Sequence, residues 1–284
     1  MRVFAISDVH VDHPLNLLWF RFLRDTDYRN DALILAGDVS DDLERMKSFL
    51  SVLRDKFAEV FFVPGNHELW IRRKECSDSV VKFKLILEFC RSLDIRCEAS
   101  QLAAGDRNSA WVVPLFSWYI SPEESARGLY VERTNENPDL SIWNDYQYIT
   151  WPAFAEHVTA ADYFLAMNLG SINKTYDAPV ISFSHFLPRR ELMFSDTYKP
   201  NNSPLKPPGF NFSRVAGCIG LDEQIRKLRS KIHVYGHQHR NRHCEIDGVL
   251  YISHCLGYPF ERSQNQIVGI DDGPKFIWDT SRTP

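Results

Sequence analysis

Five polar clusters hold residue types that bind metal ions and move protons. They are Asp8-Val9-His10, Gly37-Asp38-Val39-Ser40-Asp41, Gly65-Asn66-His67-Glu68, Ser184-His185 and Gly236-His237-Gln238-His239. With His67 set aside they offer two aspartates (Asp8, Asp38), one asparagine (Asn66) and four histidines (His10, His185, His237, His239). A tetrahedral zinc needs about four ligands. Seven, with one carboxylate shared, suit two ions of intermediate hardness. Mixed carboxylate and imidazole donors fit manganese, iron or zinc better than calcium or magnesium. Two such ions, roughly 3.5–4 Å apart, suit in-line displacement by a hydroxide held between them.

These clusters must be brought together by elements, and each follows a short apolar run. Val3 to Ile6, Ala32 to Ala36 and Val60 to Val63 read as strands buried on both faces. Between them Leu43, Met46, Leu50, Leu53 and Phe57 form a helical stripe, with Ser40 or Asp41 as the expected cap. A second helix is expected over about 78–93, and a third from Thr150-Trp151-Pro152 with Thr150 as its cap. Ala110 to Phe116 and Val180 to Phe183 are further expected strands, and Leu221, Ile225 and Leu228 mark a helix. Ile232 to Tyr235, Val249 to Ser253 and Lys275 to Trp278 are expected to pair with one another. Such alternation predicts a layered α/β domain with its chemistry at strand ends. A single domain over 1–284 is expected, with an aromatic-rich insertion around 119–151 and a Pro-rich loop around 196–210.

With 284 residues, 44% of them hydrophobic, the composition is that of an ordinary globular protein. A net charge of −4 argues against a general nucleic-acid binder. No run approaches the roughly 20 apolar residues that cross a bilayer. With no secretory signal in the sequence, the six cysteines read as reduced thiols of a cytoplasmic protein.

In this order, D-x-H, GD-x-x-D, GNHE, a lone His and GH-x-H resemble the signature of the calcineurin-like metallophosphoesterase family. The resemblance runs from residue 8 to residue 239. It implies a four-layer α/β/β/α sandwich of two mixed sheets flanked by helices, and hydrolysis of a phosphomonoester or phosphodiester. It implies one metal held by Asp8, His10, Asp38 and His239. A second would be held by Asp38, Asn66, His185 and His237. His67 would be the acid that protonates the leaving group. Asp41 would orient it and keep it cationic. Two departures narrow the subfamily. Asp42-Leu43 stand where protein phosphatases carry Arg-Gly, and the tyrosine ligand of purple acid phosphatases is missing.

Blander readings stand beside these. His13, His157, His233, His243 and His254 read as surface or core histidines, and Arg72-Arg73-Lys74 as an exposed face. Arg240 is a candidate substrate contact, since guanidinium suits phosphate. Trp118, Tyr119, Trp143, Tyr146, Tyr148 and Trp151 read as packing for the insertion rather than a base-stacking wall. A small phosphoester is the expected substrate. The alternative is a catalytically silent scaffold that binds proteins, but such a chain would have lost ligands or the acid histidine, and this one has neither loss. A closed structural zinc site would leave no place for water.

Overall fold

The computed structural model describes residues 1–24, 26–73, 75–103, 108–194 and 209–281. The chain lays down β1 (Arg2–Ile6), α1 (Pro14–Phe22), β2 (Ala32–Ala36), α2 (Leu43–Lys56), β3 (Glu59–Val63), α3 (Ser79–Ser92), β4 (Ser100–Leu102) and β5 (Ala110–Pro114). Then come α4 (Asn144–Tyr148), α5 (Ala160–Met167), α6 (Leu169–Ile172), β6 (Val180–Phe183), α7 (Ile219–Lys227) and β7 (Ile232–Tyr235). The chain closes with β8 (Arg242–Ile246), β9 (Val249–Ser253), α8 (Pro259–Ser263) and β10 (Lys275–Asp279).

The strands form two mixed sheets, in the orders β10-β1-β2-β3 and β4-β5-β6-β7-β9-β8. Strands β1 to β3 run parallel, as do β5, β6, β7 and β9, while β10, β4 and β8 are antiparallel edges. Side chains alternate across each strand, which makes the layers. Ala5, Ile34 and Phe61 lie in register across the first sheet and pack with Val112, Ile181 and Ile232 of the second. The alternate residues Leu33, Leu35, Val60 and Phe62 meet Met46, Leu50 and Leu53 of α2 and Phe83 of α3. Each such large apolar side chain contributes about 1.5–3 kcal/mol by leaving water.

Several expectations are corrected. The cap of α2 is Asp42, which accepts from the Arg45 N–H at 3.0 Å. Ser40 and Asp41 lie before the cap, where their side chains bond Asp12 and Arg72. No helix starts at Thr150. Its backbone exchanges hydrogen bonds with Ser79, and the helix begins at Ala160 under a Thr159–Asp162 capping box. Strand β10 pairs with β1, in the other sheet from β7 and β9. Helix α1 was not foreseen. Of the Pro-rich 196–210 segment, residues up to 208 lie outside the described residues.

Candidate metal centre

In both sheets the parallel strands point their carboxyl ends the same way, and the five clusters sit in the loops beyond β1, β2, β3, β6 and β7. These loops turn sharply. Asp8, His10, Asp38, His237 and His239 all have positive φ, between 39° and 71°, a backbone region that non-glycine residues seldom adopt and that gathers at functional sites. Gly65 allows the closest approach. A Cβ there would overlap the Asp38 carboxylate and lie 2.8 Å from the His185 ring.

Two donor groups result, and Asp38 belongs to both. In the first, single donor atoms of Asp8, His10, Asp38 and His239 all lie within 4.8 Å of one another. Asp38, His185 and His237 form the second by the same measure. Asn66 joins it, with its Oδ1 3.1 Å from His185 Nε2. The donor chemistry fits a cation. His239 Nδ1 is engaged by the Glu261 carboxylate at 2.7 Å, which turns its Nε2 toward the other donors. That Nε2 faces His10 Nε2 at 3.0 Å. Two imidazole nitrogens turned on each other beside two aspartates are an arrangement that a shared cation satisfies.

Several donors are aimed by a partner behind them. His185 Nδ1 bonds the Ala36 carbonyl at 2.9 Å, and His237 Nε2 the Val215 carbonyl at 2.8 Å. Asp8 accepts from Ser7 Oγ and from the His237 N–H, at 2.5 and 2.9 Å. Glu68 is wholly buried and accepts the N–H groups of Asp38, Val39, Ser40 and Gly65 at 2.6–3.0 Å, so it ties the second cluster to the third. Asp145, from α4, accepts Asn66 Nδ2 at 2.9 Å.

His67 lies beside these donors. Its ring stacks on Trp70 at 3.7 Å, its N–H donates to Asp38 Oδ1 at 3.1 Å, and the Tyr258 hydroxyl is 3.5 Å from its Nε2. It opens on a cavity of about 430 Å³ that His10, Asp41, Arg72 and Tyr258 also line. Asp41 faces the same cavity as His67. Its carboxylate pairs with Arg72 at 3.1 Å, and the Arg72 guanidinium is held there over the rings of Trp70 and Tyr148. Arg240 lines a separate cavity of about 70 Å³, with Phe212 and Gln238.

A family model described as calcineurin-like phosphoesterase matches residues 1–241. The chain belongs to the calcineurin-like phosphoesterase family. This phosphoesterase is 26% identical over 271 residues to the [acyl-carrier-protein] phosphodiesterase PptH of Mycobacterium tuberculosis, a match that covers 91% of this chain and 78% of that one. A crystal structure of phosphopantetheinyl hydrolase (PptH) from the same organism superposes with a TM-score of 0.75 at 21% identity, covering 100% of this chain and 98% of that one. The shared fold is that of a metal-dependent hydrolase of phosphoric esters, and the chain is such an enzyme.

Charge in the phosphoesterase is divided unevenly. Burial opposes charge on His185, yet Asp38 and Asp8 raise its pKa to about 9. Burial likewise opposes charge on His239, which Glu261 and Asp8 raise to about 10. His237 is pushed down to about 3 by burial and by His185. His67 is lowered too, chiefly by burial, with Asp38 and Asp145 pulling the other way. Glu68, Trp70, Asp145, Tyr258 and Glu261 escaped the sequence reading. Glu68 was visible as the last letter of GNHE, and Tyr258 in Gly257-Tyr258-Pro259. Asp145 carried no signal inside an aperiodic, aromatic-rich stretch.

Proposed function

We propose that this enzyme is a two-metal phosphodiesterase that releases a phosphopantetheinyl arm from the serine of a carrier protein. The observation that carries the two-ion reading is the pair of donor groups that share Asp38. Likeness to PptH along 91% of the chain supports the substrate class. Asp8, His10, Asp38 and His239 would hold one ion. Asp38, Asn66, His185 and His237 would hold the other, with manganese, iron or zinc as the candidates. Bound there, such a pair supplies Lewis-acid activation of the phosphoryl group and of water.

The chain's own residues supply the rest. His67 in its protonated form delivers a proton from Nε2 to the departing serine oxygen, a poor leaving group as an alkoxide. The Trp70 ring beneath it fixes the imidazole plane. Arg72, preorganised by Asp41 and two rings, is our candidate for the second anionic contact on the substrate, in preference to Arg240. Water adds to phosphorus, the bond from phosphorus to the serine oxygen breaks, and the products are serine and a phosphomonoester arm.

The test is to incubate a phosphopantetheinylated carrier protein with metal-supplied enzyme in H₂¹⁸O and to weigh both products. Expected are the unmodified carrier and an arm that carries one ¹⁸O on phosphorus. Hydrolysis of bis(p-nitrophenyl) phosphate with an untouched carrier would remove the substrate assignment and leave the diesterase standing. Label in the serine would place the cleavage on carbon and refute the displacement at phosphorus.

A further inference from the structure

We propose that Asp145 is a positioning residue, one that aims the Asn66 carbonyl into the second donor group and seats the Trp70 platform under His67. This rests on the two-ion reading above. Asp145 is buried, and three side-chain N–H groups converge on its carboxylate. Oδ1 accepts Asn66 Nδ2 at 2.9 Å and Trp70 Nε1 at 2.6 Å, and Oδ2 accepts Trp143 Nε1 at 2.8 Å.

A carboxylate only accepts. The Asn66 amide must therefore turn its NH₂ toward Asp145. Its oxygen is then left on the opposite side, where it stands 3.1 Å from His185 Nε2. The reverse orientation would press the Asn66 oxygen against Asp145 Oδ1 in a buried place and leave the Asn66 oxygen unsatisfied. The same Oδ1 also fixes the rotation of the Trp70 indole, and that ring lies 3.7 Å from the His67 ring at 32°. One acid from the 119–151 insertion thus sets two groups that follow β3, the candidate ligand and the base of the candidate acid. Trp143, in contrast, bonds only the other oxygen, Oδ2, and belongs to the insertion itself. That difference separates positioning from mere anchoring.

The experiment is a Mn²⁺ titration of the full chain against a competing chelator. Wild type should take up two ions. Asp145→Ala should keep one ion and bind the other about ten- to hundred-fold more weakly, the usual cost of losing a partner behind a ligand. Asp145→Asn should show a smaller loss, since one oxygen still accepts, and it serves if Asp145→Ala fails to fold. Trp143→Phe should leave both affinities in place. In an Asn66→Ala background, Asp145→Ala should weaken binding no further. Equal losses in Trp143→Phe and Asp145→Ala would overturn the proposal, as would a further loss in the Asn66→Ala background. Wild-type affinities in Asp145→Ala would overturn it while the two-ion reading stands. A wild type that binds a single ion would overturn both.

Discussion

Asp41 and Arg72 pair with each other in the cavity that His67 also lines. With its side chain 41% exposed, Arg72 can reach a substrate, yet two aromatic rings and a carboxylate already fix its plane. A hydrogen bond to a charged group is worth about 1.5–3 kcal/mol, so Arg72→Met should raise KM roughly ten- to hundred-fold with kcat nearly kept. Asp41→Asn should raise KM less, and the double variant should match Arg72→Met alone, as a double-mutant cycle would read. Additive losses would return Asp41 to an independent role. His67→Asn should retain metal and lose about 10²–10⁴ in rate on an alkyl diester, but clearly less on a nitrophenyl ester whose leaving group needs no proton. Equal losses on both esters would make His67 an electrostatic group instead. At this scale, the candidate donors that the fold brings together were legible as candidates, because ligand types are few and their spacing is tight. Partners such as Asp145 and Glu261 were not, since a carboxylate behind a ligand looks like any other until the chain folds.

Strand β7 carries His233 between the hydroxyls of Ser182 and Ser184, at 2.8 and 3.0 Å. Ser184 Oγ donates to the Phe186 carbonyl, so it accepts from His233 Nε2, and Ser182 donates to Nδ1. The neutral ring is therefore fully satisfied. Burial pushes its pKa down to about 3 from an ordinary 6.5. Above about pH 6.5 neither the folded nor the unfolded chain protonates it, and its contribution to stability is complete. Between 6.5 and 3 the unfolded chain takes a proton that the fold refuses, and stability falls by up to about 1.4 kcal/mol per pH unit. Urea midpoints at pH 7.5 and 5 should show His233→Gln less stable than wild type at the higher pH, with a smaller drop between the two. An identical drop would assign the acid loss elsewhere. Among elements, strands with unbroken apolar runs were legible because both faces are dry. The short edges β4 and β8 were not, and neither was α1, whose buried residues are only Asn16 and Phe20. Thr150 misled because a Thr-x-Pro start looks the same whether its backbone caps a helix or bonds Ser79.

On the scale of the molecule, the candidate ligands come from both sheets. Asp8, His10, Asp38 and Asn66 follow strands of the first, and His185, His237 and His239 follow strands of the second. Ions bound there would stitch the sandwich along one edge. A ligand that binds only the folded state, present at a thousandfold excess over its Kd, adds about 4 kcal/mol. For a chain of this size that is on the order of 10 °C in Tm. Chelation should lower Tm by that order, Mn²⁺ should restore it, and His185→Ala should lose most of the difference. A Tm unmoved by chelator would place the cohesion in the apolar layer between the sheets alone. The four-layer architecture was legible through the family resemblance and the alternation of elements. The placement of β10 beside β1 was not, because nothing local distinguishes one open sheet edge from another.

The positive φ at Asp8, His10, Asp38, His237 and His239 also limits how the centre can be redesigned. Left-handed backbone is tolerated best, after glycine, by Asn, Asp and His, whereas other side chains cost roughly 1–2 kcal/mol there. An engineer who sought a softer cation by writing cysteine at these positions would strain up to five turns as well as change the donors. The substitutions open at low conformational cost are exchanges among Asp, Asn and His, so the backbone already restricts the centre to the alphabet in which it is written.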